Sequence, residues 1–319
     1  MRAVVYDRYG PPDVLRMAEV PVPAPGPAQV LVEVAATSIN LSDGECLRGT
    51  PLYARIGGLR TPKHRTLGSD LAGRVAAIGQ AVTRFRVGDE VYGDNLQLMG
   101  GFAEFVVAPE SALAHKPAGL TFAEASTIPQ AGAIALQATA GMAAGQRVLI
   151  NGAGGGSGVF AIQLAKLAGA HVTGIDDARK LDFMRSVGAD EVGDYRRQGF
   201  SDFAPFDRIL DLVATRSPFA CRRALVPGGR YRCVGGAVHR LLPIVTLGPL
   251  VGRATRRRIG MLAVKQGPSH FEPLAERCLA GEVQIHTDRT FRLDEVPQAL
   301  THIGEGRPLG KVVIAIAPS

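Results

Sequence analysis

The sequence predicts an α/β fold in which a doubly wound parallel sheet is joined to a compact, mostly β region. Three observations predict it. A strand, a glycine turn and a helix follow one another after Arg147, helix and strand patterns alternate from Thr121 onward, and short β-like runs precede that point. The 319 residues suffice for two domains with a sizeable core.

The residues before about position 121 read as short strands. Gln29–Ala35 and Gly73–Ile78 are two of them, and turns such as PVPAPGPAQ and VGDEVYG separate them. The first residues, MRAVVYDRYG, begin a strand, so we expect no signal peptide.

The segment from Arg147 to Asp177 reads as one nucleotide-binding β-α-β unit. The apolar run Val148–Ile150 is typical of a strand buried on both faces. A helical pattern starts in the glycine turn, where free amides and the positive dipole end favour a phosphate. The turn consists of Gly152, Ala153, Gly154, Gly155, Gly156, Ser157 and Gly158.

A second strand, His171–Ile175, ends on Asp176 and Asp177, roughly 20 residues past the glycines. Their carboxylates can accept hydrogen bonds from an adenosine ribose. Since Ala153 replaces the first glycine of the fingerprint, the prediction depends on this whole context more than on the glycine spacing. A redox cofactor is the first hypothesis.

The pattern continues to the end of the chain. The expected elements are a strand at Arg208–Val213, a helix carrying Cys221–Ala224, a strand at Gly229–Val234, a helix at Glu272–Leu279, a strand near Thr290, a helix near Pro297–Ile303 and a last strand at Lys311–Ile316. We expect the last strand to return to the first domain.

Composition indicates a cytoplasmic protein. No apolar run approaches the roughly 18 residues needed to cross a bilayer. The four scattered cysteines fit free thiols in a reducing compartment. The net charge of +7 does not indicate nucleic-acid binding, because no aromatic residues interleave with the basic ones.

The segment Leu241–Arg258 combines an apolar stretch with Arg253, Arg256, Arg257 and Arg258. Three interpretations stay open. It is a solvated basic helix end beside a core or dimer contact, a mobile flap over a substrate pocket, or a contact with a membrane surface.

The chain resembles the medium-chain dehydrogenase/reductase superfamily, and within it a zinc-independent member near the quinone oxidoreductases. The matching segments are MRAVVYDRYGPPDVL at the start, SINLSDGECLRG (38–49), LGSDLAGRVAAIG (67–79), VTRFRVGDEVYG (82–93), GGFAEFVVAPES (100–111), RSVGADEVGDYR (185–196), LVPGGRYRCVGG (225–236) and GKVVI (310–314).

The resemblance implies a Rossmann sheet inserted in a GroES-like β domain. The implied boundaries are a first part of the catalytic domain at 1–121, a cofactor domain at 122–264 and a return to the catalytic domain at 265–319. It also implies an active site in the cleft between the domains, and a homodimer formed through the edge of the Rossmann sheet.

Zinc is not expected. In zinc-bearing relatives a cysteine stands at the position of Asn40, and a histidine occurs in the motif that reads Gly68-Ser69-Asp70 here. A third ligand, again a cysteine, has no counterpart between Cys46 and Cys221. A new site built from Asp43, Cys46 and His64 is disfavoured.

Without a Lewis acid, quinones and α,β-unsaturated carbonyls are the expected hydride acceptors, because they spread the developing charge. Asn40 is the candidate hydrogen-bond donor to the substrate, unless it only holds a turn. Asp43 is a second catalytic candidate, for which a structural role is also open. Tyr53 can replace a tyrosine that some relatives have at the position of Glu45.

The cofactor preference is contested. Asp176 and Asp177 oppose a 2′-phosphate, whereas Arg179, Lys180 and Tyr195 favour it. On the resemblance we expect NADPH, with NADH open. The resemblance also implies cofactor contacts at Asn40, Thr127, Ala131, Gly155–Ser157, Leu212, Val213, Ala214, Val234, Gly235, Gly236 and Lys311. For Ser157, a phosphate contact and a helix N-cap are both open.

Two other functions stay open: a specialised tailoring reductase in a biosynthetic pathway, and a cofactor-binding protein with little turnover.

Overall fold

The computed structural model describes residues 1–56 and 58–316. The chain divides into two compact units. Unit 1 comprises Met1–Ala133, Lys265–Gly281 and Ile285–Ser319, and unit 2 comprises Ile134–Val264 and Glu282–Gln284. The predicted α/β fold class is confirmed, since unit 1 contains a largely antiparallel sheet and unit 2 a parallel one.

The strands are, in chain order, β1 (Arg2–Val5), β2 (Arg16–Glu19), β3 (Gln29–Ile39), β4 (Asp70–Ile78), β5 (Glu90–Asp94), β6 (Phe105–Pro109), β7 (Leu113–His115), β8 (Arg147–Asn151), β9 (His171–Asp176), β10 (Glu191–Asp194), β11 (Phe206–Asp211), β12 (Leu225–Cys233), β13 (Arg258–Met261), β14 (Thr287–Arg292) and β15 (Lys311–Ala315).

The helices are α1 (Leu41–Arg48), α2 (Phe122–Ser126), α3 (Pro129–Thr139), α4 (Gly156–Leu167), α5 (Leu181–Ser186), α6 (Pro218–Ala224), α7 (Val238–Thr246), α8 (Gly248–Ala254), α9 (Glu272–Leu279) and α10 (Val296–Gly304). No helix among the described residues is both long and apolar enough to span a membrane.

In unit 1 the strand order is β14-β15-β3-β4-β5-β7, and β6 also pairs with β3. Alternate residues of β3, among them Val30, Val32 and Val34, pack in a core under the sheet. The last strand, β15, pairs antiparallel with β3, with Val312 opposite Ile39. The expectation that the chain end returns to the first domain is therefore confirmed, and this register brings Lys311 next to the end of β3.

In unit 2 the parallel sheet has the order β10-β9-β8-β11-β12-β13. Val148, Leu149 and Ile150 are fully buried, as expected for a strand covered on both faces. The order reverses between β8 and β11, which end at Asn151 and Asp211. In doubly wound sheets, ligands bind at the carboxyl ends of the strands at this reversal.

The two units differ from the predicted domain boundaries in two segments. Glu282–Gln284 belong to unit 2, although 265–319 was predicted to return to the catalytic domain. Residues 122–133, with α2 and the first turn of α3, belong to unit 1 rather than to the unit with the parallel sheet. The division by contacts falls within α3, so the functional boundary near residue 121 stays a prediction.

We expect Phe206→Ala to lower the free energy of unfolding by about 3–5 kcal/mol. Phe206 is fully buried in the core of unit 2, and truncation leaves a cavity there. Phe219→Ala is the matched control, since that ring is 52% exposed, and we expect it to change stability by less than about 0.5 kcal/mol. Urea unfolding of both variants tests this, and equal losses would contradict the assigned core.

Candidate functional site

A buried ammonium group lies at the start of β15. Lys311 is 3% exposed, and its Nζ donates to Asn40 Oδ1 at 2.7 Å. Nζ also contacts the Ile39 carbonyl and Asp70 Oδ2, each at 3.4 Å. All three of its hydrogens therefore have acceptors within unit 1.

Asp70 is the centre of this network and is fully buried. Its Oδ2 accepts from the Ser38 hydroxyl at 2.9 Å and from Asn40 Nδ2 at 2.8 Å, in addition to Lys311. Its Oδ1 accepts from the backbone N–H of Gln130 at 3.0 Å. One carboxylate thus ties together β3, β4, β15 and the first turn of α3. We refer to this arrangement as the Asp70 network.

Two further buried carboxyl groups, those of Asp43 and Asp94, neighbour this network. Burial first, and then the charge of Asp70, raises the pKa of Asp94 to about 8. Burial also raises the pKa of Asp43 to about 7. Burial is thus the main reason why the pKa values of both carboxyl groups lie near neutral pH.

The hydrogen-bonding groups of the Asn40 amide are all engaged within unit 1, and its proposed contact with a substrate stays a prediction. Its two amide hydrogens are donated to Ser69 Oγ at 3.1 Å and Asp70 Oδ2 at 2.8 Å, while its oxygen accepts from Lys311. No hydrogen of the amide is left for a substrate oxygen. Asn40 is a positioning residue in this arrangement.

Asp43 has a structural role. Its carboxylate is fully buried and accepts from the backbone N–H groups of Asn40 at 2.8 Å and Gly68 at 3.1 Å. It therefore fixes the start of α1 against the loop before β4, and a catalytic contact with substrate is not supported.

Tyr53 and Glu45 lie together in unit 1. The Tyr53 hydroxyl donates to Glu45 Oε2 at 3.2 Å, and burial raises the pKa of that carboxyl group. The tyrosine is thus adjacent to the position where some relatives carry one. Its proposed substrate contact stays a prediction.

The sequence reasoning missed Gln130. Its Oε1 accepts from the Ser42 hydroxyl at 3.1 Å, whereas its Nε2 is buried and has no hydrogen-bond partner among the described residues. Turning the amide over would leave Oε1 unpartnered instead. A buried polar group without a partner costs about 1–3 kcal/mol, so an acceptor that reaches Nε2 would be stabilising here. No sequence motif marks it.

Thr127 and Ala131, expected to border a nicotinamide, are both buried in unit 1. The Thr127 hydroxyl donates to the Glu124 carbonyl at 2.6 Å. Their contact with a cofactor stays a prediction.

In unit 2 the glycine turn leads into the start of α4. Gly152 has φ +81°, and a Cβ on Gly158 would lie 2.4 Å from the Gly152 carbonyl oxygen, so glycine is required at both positions. At Gly155 the nearest such contact is 3.6 Å, which leaves room for a ligand. No side chain caps α4, and its first amides are available to an anion.

The glycine turn connects β8 to α4, as expected. Ala153 and Gly154 close it against β9, and Gly156 begins α4. The N-cap is Gly155, so the alternative of Ser157 as N-cap is wrong. Its proposed phosphate contact stays a prediction.

Each of the two acids after β9 has cationic partners. Asp176 Oδ2 accepts from the Gly154 N–H at 2.9 Å, and Lys180 Nζ lies 3.5 Å from Oδ1. Asp177 pairs with Arg179 at 2.8 Å and with Arg196 at 3.0 Å. The hydrogen bond from the Arg179 side chain makes the largest contribution to the shift that lowers the pKa of Asp177 to about 2. The directions of these side chains, which the sequence does not reveal, therefore place a cationic group beside each carboxylate.

Tyr195 is half exposed beside these charges. Its ring lies under the Arg196 guanidinium, 5.4 Å from ring centre to Cζ. Arg179, Arg196 and Tyr195 thus form the exposed part of the region where an adenosine would lie.

Asp211 organises the carboxyl end of β11 and was not found from the sequence. Its Oδ1 accepts from Asn151 Nδ2 at 2.7 Å and from the N–H groups of Val213 and Ala214 at 3.0 and 2.8 Å. Its Oδ2 accepts from the Tyr231 hydroxyl at 2.8 Å.

Asp211 also anchors the next loop, because its carbonyl accepts from the Val234 N–H at 3.0 Å. The cofactor candidates Leu212, Val213, Val234, Gly235 and Gly236 are therefore brought together at the sheet reversal in unit 2, with φ +68° and +123° at the two glycines.

Two family models match the chain. The model for the alcohol dehydrogenase GroES-like domain covers residues 26–118, and one described as zinc-binding dehydrogenase covers residues 187–314.

Known proteins resemble the chain over its whole length. It is 32% identical to the chloroplastic quinone-oxidoreductase QR1 of Triphysaria versicolor, over 98% of both chains. It is 32% identical to the mitochondrial NAD(P)H oxidoreductase RTN4IP1 of Bos taurus, over 99% of this chain and 89% of that one. The solved quinone oxidoreductase of Coxiella burnetii matches with a TM-score of 0.90 and 28% identity, over 99% of both chains.

The residues present do not fit the zinc ion that one family description names. Asn40 and Ser69 stand where zinc ligands are expected, and the Lys311 ammonium is in contact with Asn40 Oδ1. An amide, a hydroxyl and an ammonium group form a poor donor set for zinc. In residues 1–56 and 58–316 no group of three His, Cys, Asp or Glu side chains is placed to hold a metal.

We expect Lys311→Met to lower the free energy of unfolding by about 3–5 kcal/mol at neutral pH, because Asp70 then lies buried without its cation. The loss of unfolding free energy becomes smaller as the pH falls toward about 4. In the folded variant the buried Asp70 carboxylate takes up a proton at a pH where the same group in the unfolded chain is still ionised.

Urea unfolding at a series of pH values measures this effect. Lys63→Met, at an exposed lysine, is the control, and Lys311→Met with Asp70→Asn should recover part of the loss. A pH-independent loss that the second substitution does not reduce would contradict the charge pairing.

Proposed function

Because the chain belongs to the quinone-oxidoreductase-like branch of the medium-chain dehydrogenase/reductase superfamily, we propose that it transfers a hydride from NAD(P)H to a quinone or an α,β-unsaturated carbonyl without zinc. The observation that carries the proposal is the Asp70 network. Asn40 and Ser69, which are hydrogen-bonded to each other, stand at two positions where a catalytic zinc would need its ligands, and Lys311 donates to Asn40.

The cofactor supplies the hydride when it is bound, and residues of unit 2 would hold the cofactor. The uncapped start of α4 and the open side of Gly155 suit a pyrophosphate. The loops fixed by Asp211 offer backbone groups at the sheet reversal for the rest of the dinucleotide.

The expected class of hydride acceptor depends on the groups in unit 1, which include hydrogen-bond donors but no expected Lewis acid. Hydride addition to a simple ketone concentrates charge on one oxygen, which needs a Lewis acid or a strong proton donor. In a quinone or enone the charge spreads into a phenolate or enolate, which hydrogen-bond donors can stabilise. A proton from water then completes the hydroquinone or the saturated carbonyl.

Gln130 is the donor that we propose for the acceptor oxygen. Its Nε2 has no partner among the described residues, in contrast to the Asn40 amide, whose hydrogens are both in use. Asp70 Oδ1 accepts from the backbone N–H of Gln130 at 3.0 Å, and Lys311 donates to Asn40. Asp70 and Lys311 therefore act as positioning residues for this donor.

For the cofactor we propose NADPH in preference to NADH. Asp176 is held by Gly154 and Lys180, and Asp177 by Arg179 and Arg196, so neither carboxylate is free to bind a ribose hydroxyl or to repel a phosphate. The two arginine side chains are more than half exposed and carry the charge that a 2′-phosphate needs.

A cytoplasmic location and a homodimer stay predictions. The names of the two relatives place those proteins in chloroplasts and mitochondria.

We expect the chain to oxidise NADPH with 1,4-benzoquinone and with a simple enone in the presence of a chelator. Gln130→Leu should lower kcat/KM for both acceptors by about tenfold, the loss of one useful hydrogen bond. Its free energy of unfolding should change by less than about 1 kcal/mol, because removal of the unpartnered Nε2 offsets loss of the hydrogen bond from Ser42 to Oε1. Steady-state kinetics and urea unfolding measure the two effects.

The outcomes separate the alternatives. Loss of activity with the chelator contradicts the zinc-free reaction. Tight cofactor binding without turnover supports a binding protein, and high activity on one elaborate enone alone supports a tailoring enzyme. A Gln130→Leu variant that loses stability as well as activity contradicts its assignment as donor.

We expect Arg179→Ala with Arg196→Ala to lower kcat/KM for NADPH at least about tenfold and to change that for NADH by less than about twofold. Arg185→Ala, which removes an exposed arginine from α5 in the same unit, is the control. Parallel assays with both cofactors measure this. Equal losses for both cofactors, or a wild-type preference for NADH, would overturn the choice of NADPH.

A further inference from the structure

One long stretch of unit 1 contains no acidic residue. Residues 46–69 include four arginines, a lysine and a histidine, but no aspartate or glutamate. Arg48, Arg60 and Lys63 are exposed, and within residues 1–56 and 58–316 none of them forms an ion pair. We refer to these three residues as the basic triplet. Its charges are available to an external anion.

One side chain, that of Arg55, brings the two arginines of the triplet together. Its Nε donates to the Gly49 carbonyl at 2.8 Å, and its Nη1 donates to the Leu59 carbonyl at 3.2 Å. Arg48 directly precedes the first of these acceptors in the chain, and Arg60 directly follows the second. Both arginines therefore extend from backbone that is held against Arg55.

A turn brings Lys63 back to the same place. A Cβ on Gly58 would lie 2.8 Å from the backbone nitrogen of Lys63, so the two parts of the loop are in close contact there. The Tyr9 hydroxyl donates to the Gly58 carbonyl, and its ring centre lies 4.7 Å from Arg55 Cζ. The basic triplet is thus assembled around one arginine and one tyrosine.

Exposed apolar side chains occupy the same stretch. Leu52, Ile56 and Leu59 are 67–82% exposed, and Leu41 at the start of α1 is 63% exposed. Apolar area of this kind favours a ligand that covers it, at about 25 cal/mol for each Å² removed from water. A ligand that suits the whole surface therefore has both an arm that can cover apolar groups and negative charge.

Helix α1 connects this surface to Gln130, the proposed donor. The Ser42 hydroxyl donates to Gln130 Oε1 at 3.1 Å, and Glu45 accepts from the Tyr53 hydroxyl at 3.2 Å. Ser42 and Glu45 are three residues apart, so they lie on the same side of the helix. Tyr53 belongs to the turn Leu52–Arg55. A ligand whose carbonyl accepts from Gln130 can therefore extend along α1 to the apolar residues and the basic triplet.

We propose that the hydride acceptor is a 2-enoyl thioester of coenzyme A, whose arm covers the exposed apolar residues and whose phosphate groups bind the basic triplet. The inference rests on the proposed function and narrows the acceptor to one class. An enoyl thioester is an α,β-unsaturated carbonyl, and arginine and lysine are the side chains that bind phosphate. A neutral quinone or simple enone has no group that pairs with the triplet.

The reaction is that of the proposed function. The hydride forms a C–H bond at the β-carbon of the acyl group, and the electron pair of the double bond moves toward the thioester oxygen, which accepts from Gln130 Nε2. A proton from water then adds to the α-carbon. The enoyl group is reduced, the nicotinamide cofactor is oxidised, and the thioester bond stays intact.

Two thioesters with the same acyl group test the proposal on the full chain. Crotonyl-CoA has the phosphate groups, whereas crotonyl pantetheine has the same arm without them. With NADPH at saturation, we expect kcat/KM to be at least about tenfold higher for the CoA thioester. This ratio of the two values should fall when NaCl rises from about 0.05 M to about 0.5 M, because salt screens exposed charges.

Charge variants locate the phosphate contacts. Arg60→Gln with Lys63→Gln should lower the ratio of kcat/KM for crotonyl-CoA to that for crotonyl pantetheine by about tenfold. Arg86→Gln with Arg185→Gln, the same charge change at exposed arginines elsewhere, is the control and should leave the ratio within about twofold of its wild-type value.

Apolar variants locate the arm. Leu52→Ser with Ile56→Ser should lower kcat/KM for both thioesters by about tenfold, because the arm then covers less apolar surface. Val87→Ser with Leu167→Ser changes exposed apolar residues elsewhere and should have no such effect.

Reduction of 1,4-benzoquinone separates this inference from the proposed function. Quinone turnover with equal kcat/KM for the two thioesters overturns the inference and leaves the proposed function in place. Absence of turnover with the quinone and with both thioesters overturns both.

Three further results overturn the inference. They are equal effects of test and control variants, a higher kcat/KM for a crotonyl group on acyl carrier protein than on CoA, and adsorption to anionic vesicles without a preference for the CoA thioester. The second would assign the surface to an acidic carrier protein, and the third would assign it to lipid.

Discussion

The buried contact between Lys311 and the Asp70 network is the constraint on which unit 1 depends. Lys311 and Asn40 are 271 positions apart in the chain, yet the register of β15 on β3 brings Nζ within 2.7 Å of the amide oxygen. An ammonium buried this completely is stable only with its carboxylate and hydrogen-bond acceptors in place. The pairing of the last strand, the end of β3 and the start of α3 are therefore interdependent.

The two units treat charge in opposite ways. In unit 1, burial raises the pKa of Asp43 to about 7 and that of Asp94 to about 8. Unit 2 pairs its acids Asp176 and Asp177 with cations and leaves the arginines after Asp211 without acids. Buried acids beside a lysine suit proton-holding positions, whereas exposed arginines suit contact with external anions.

Sequence was sufficient where the signal is local. Apolar runs, glycines and helix stops predicted β8, α4 and the alternation around them, and α9 was predicted over Glu272–Leu279 as it is found. It was insufficient where function depends on register or side-chain direction. Nothing in the sequence shows that Lys311 occupies the hydrogen-bond acceptor of Asn40, or that Asp177 faces Arg196. The glycine turn was therefore predicted better than the groups around it.

Gln130 differs from Asn40, the donor expected from the resemblance, in the hydrogen bonds that its amide makes. An asparagine at the end of β3 is conspicuous in the sequence, but its position beside Asp70 and Ser69 uses both hydrogens of its amide. Gln130 stands in an ordinary helix start, and only packing leaves its Nε2 buried and unpartnered. Without a ligand this arrangement does not stabilise the fold, because the Nε2 group of Gln130 would be better solvated by water. A ligand oxygen that accepts from Nε2 would remove this cost, so the arrangement favours a bound acceptor.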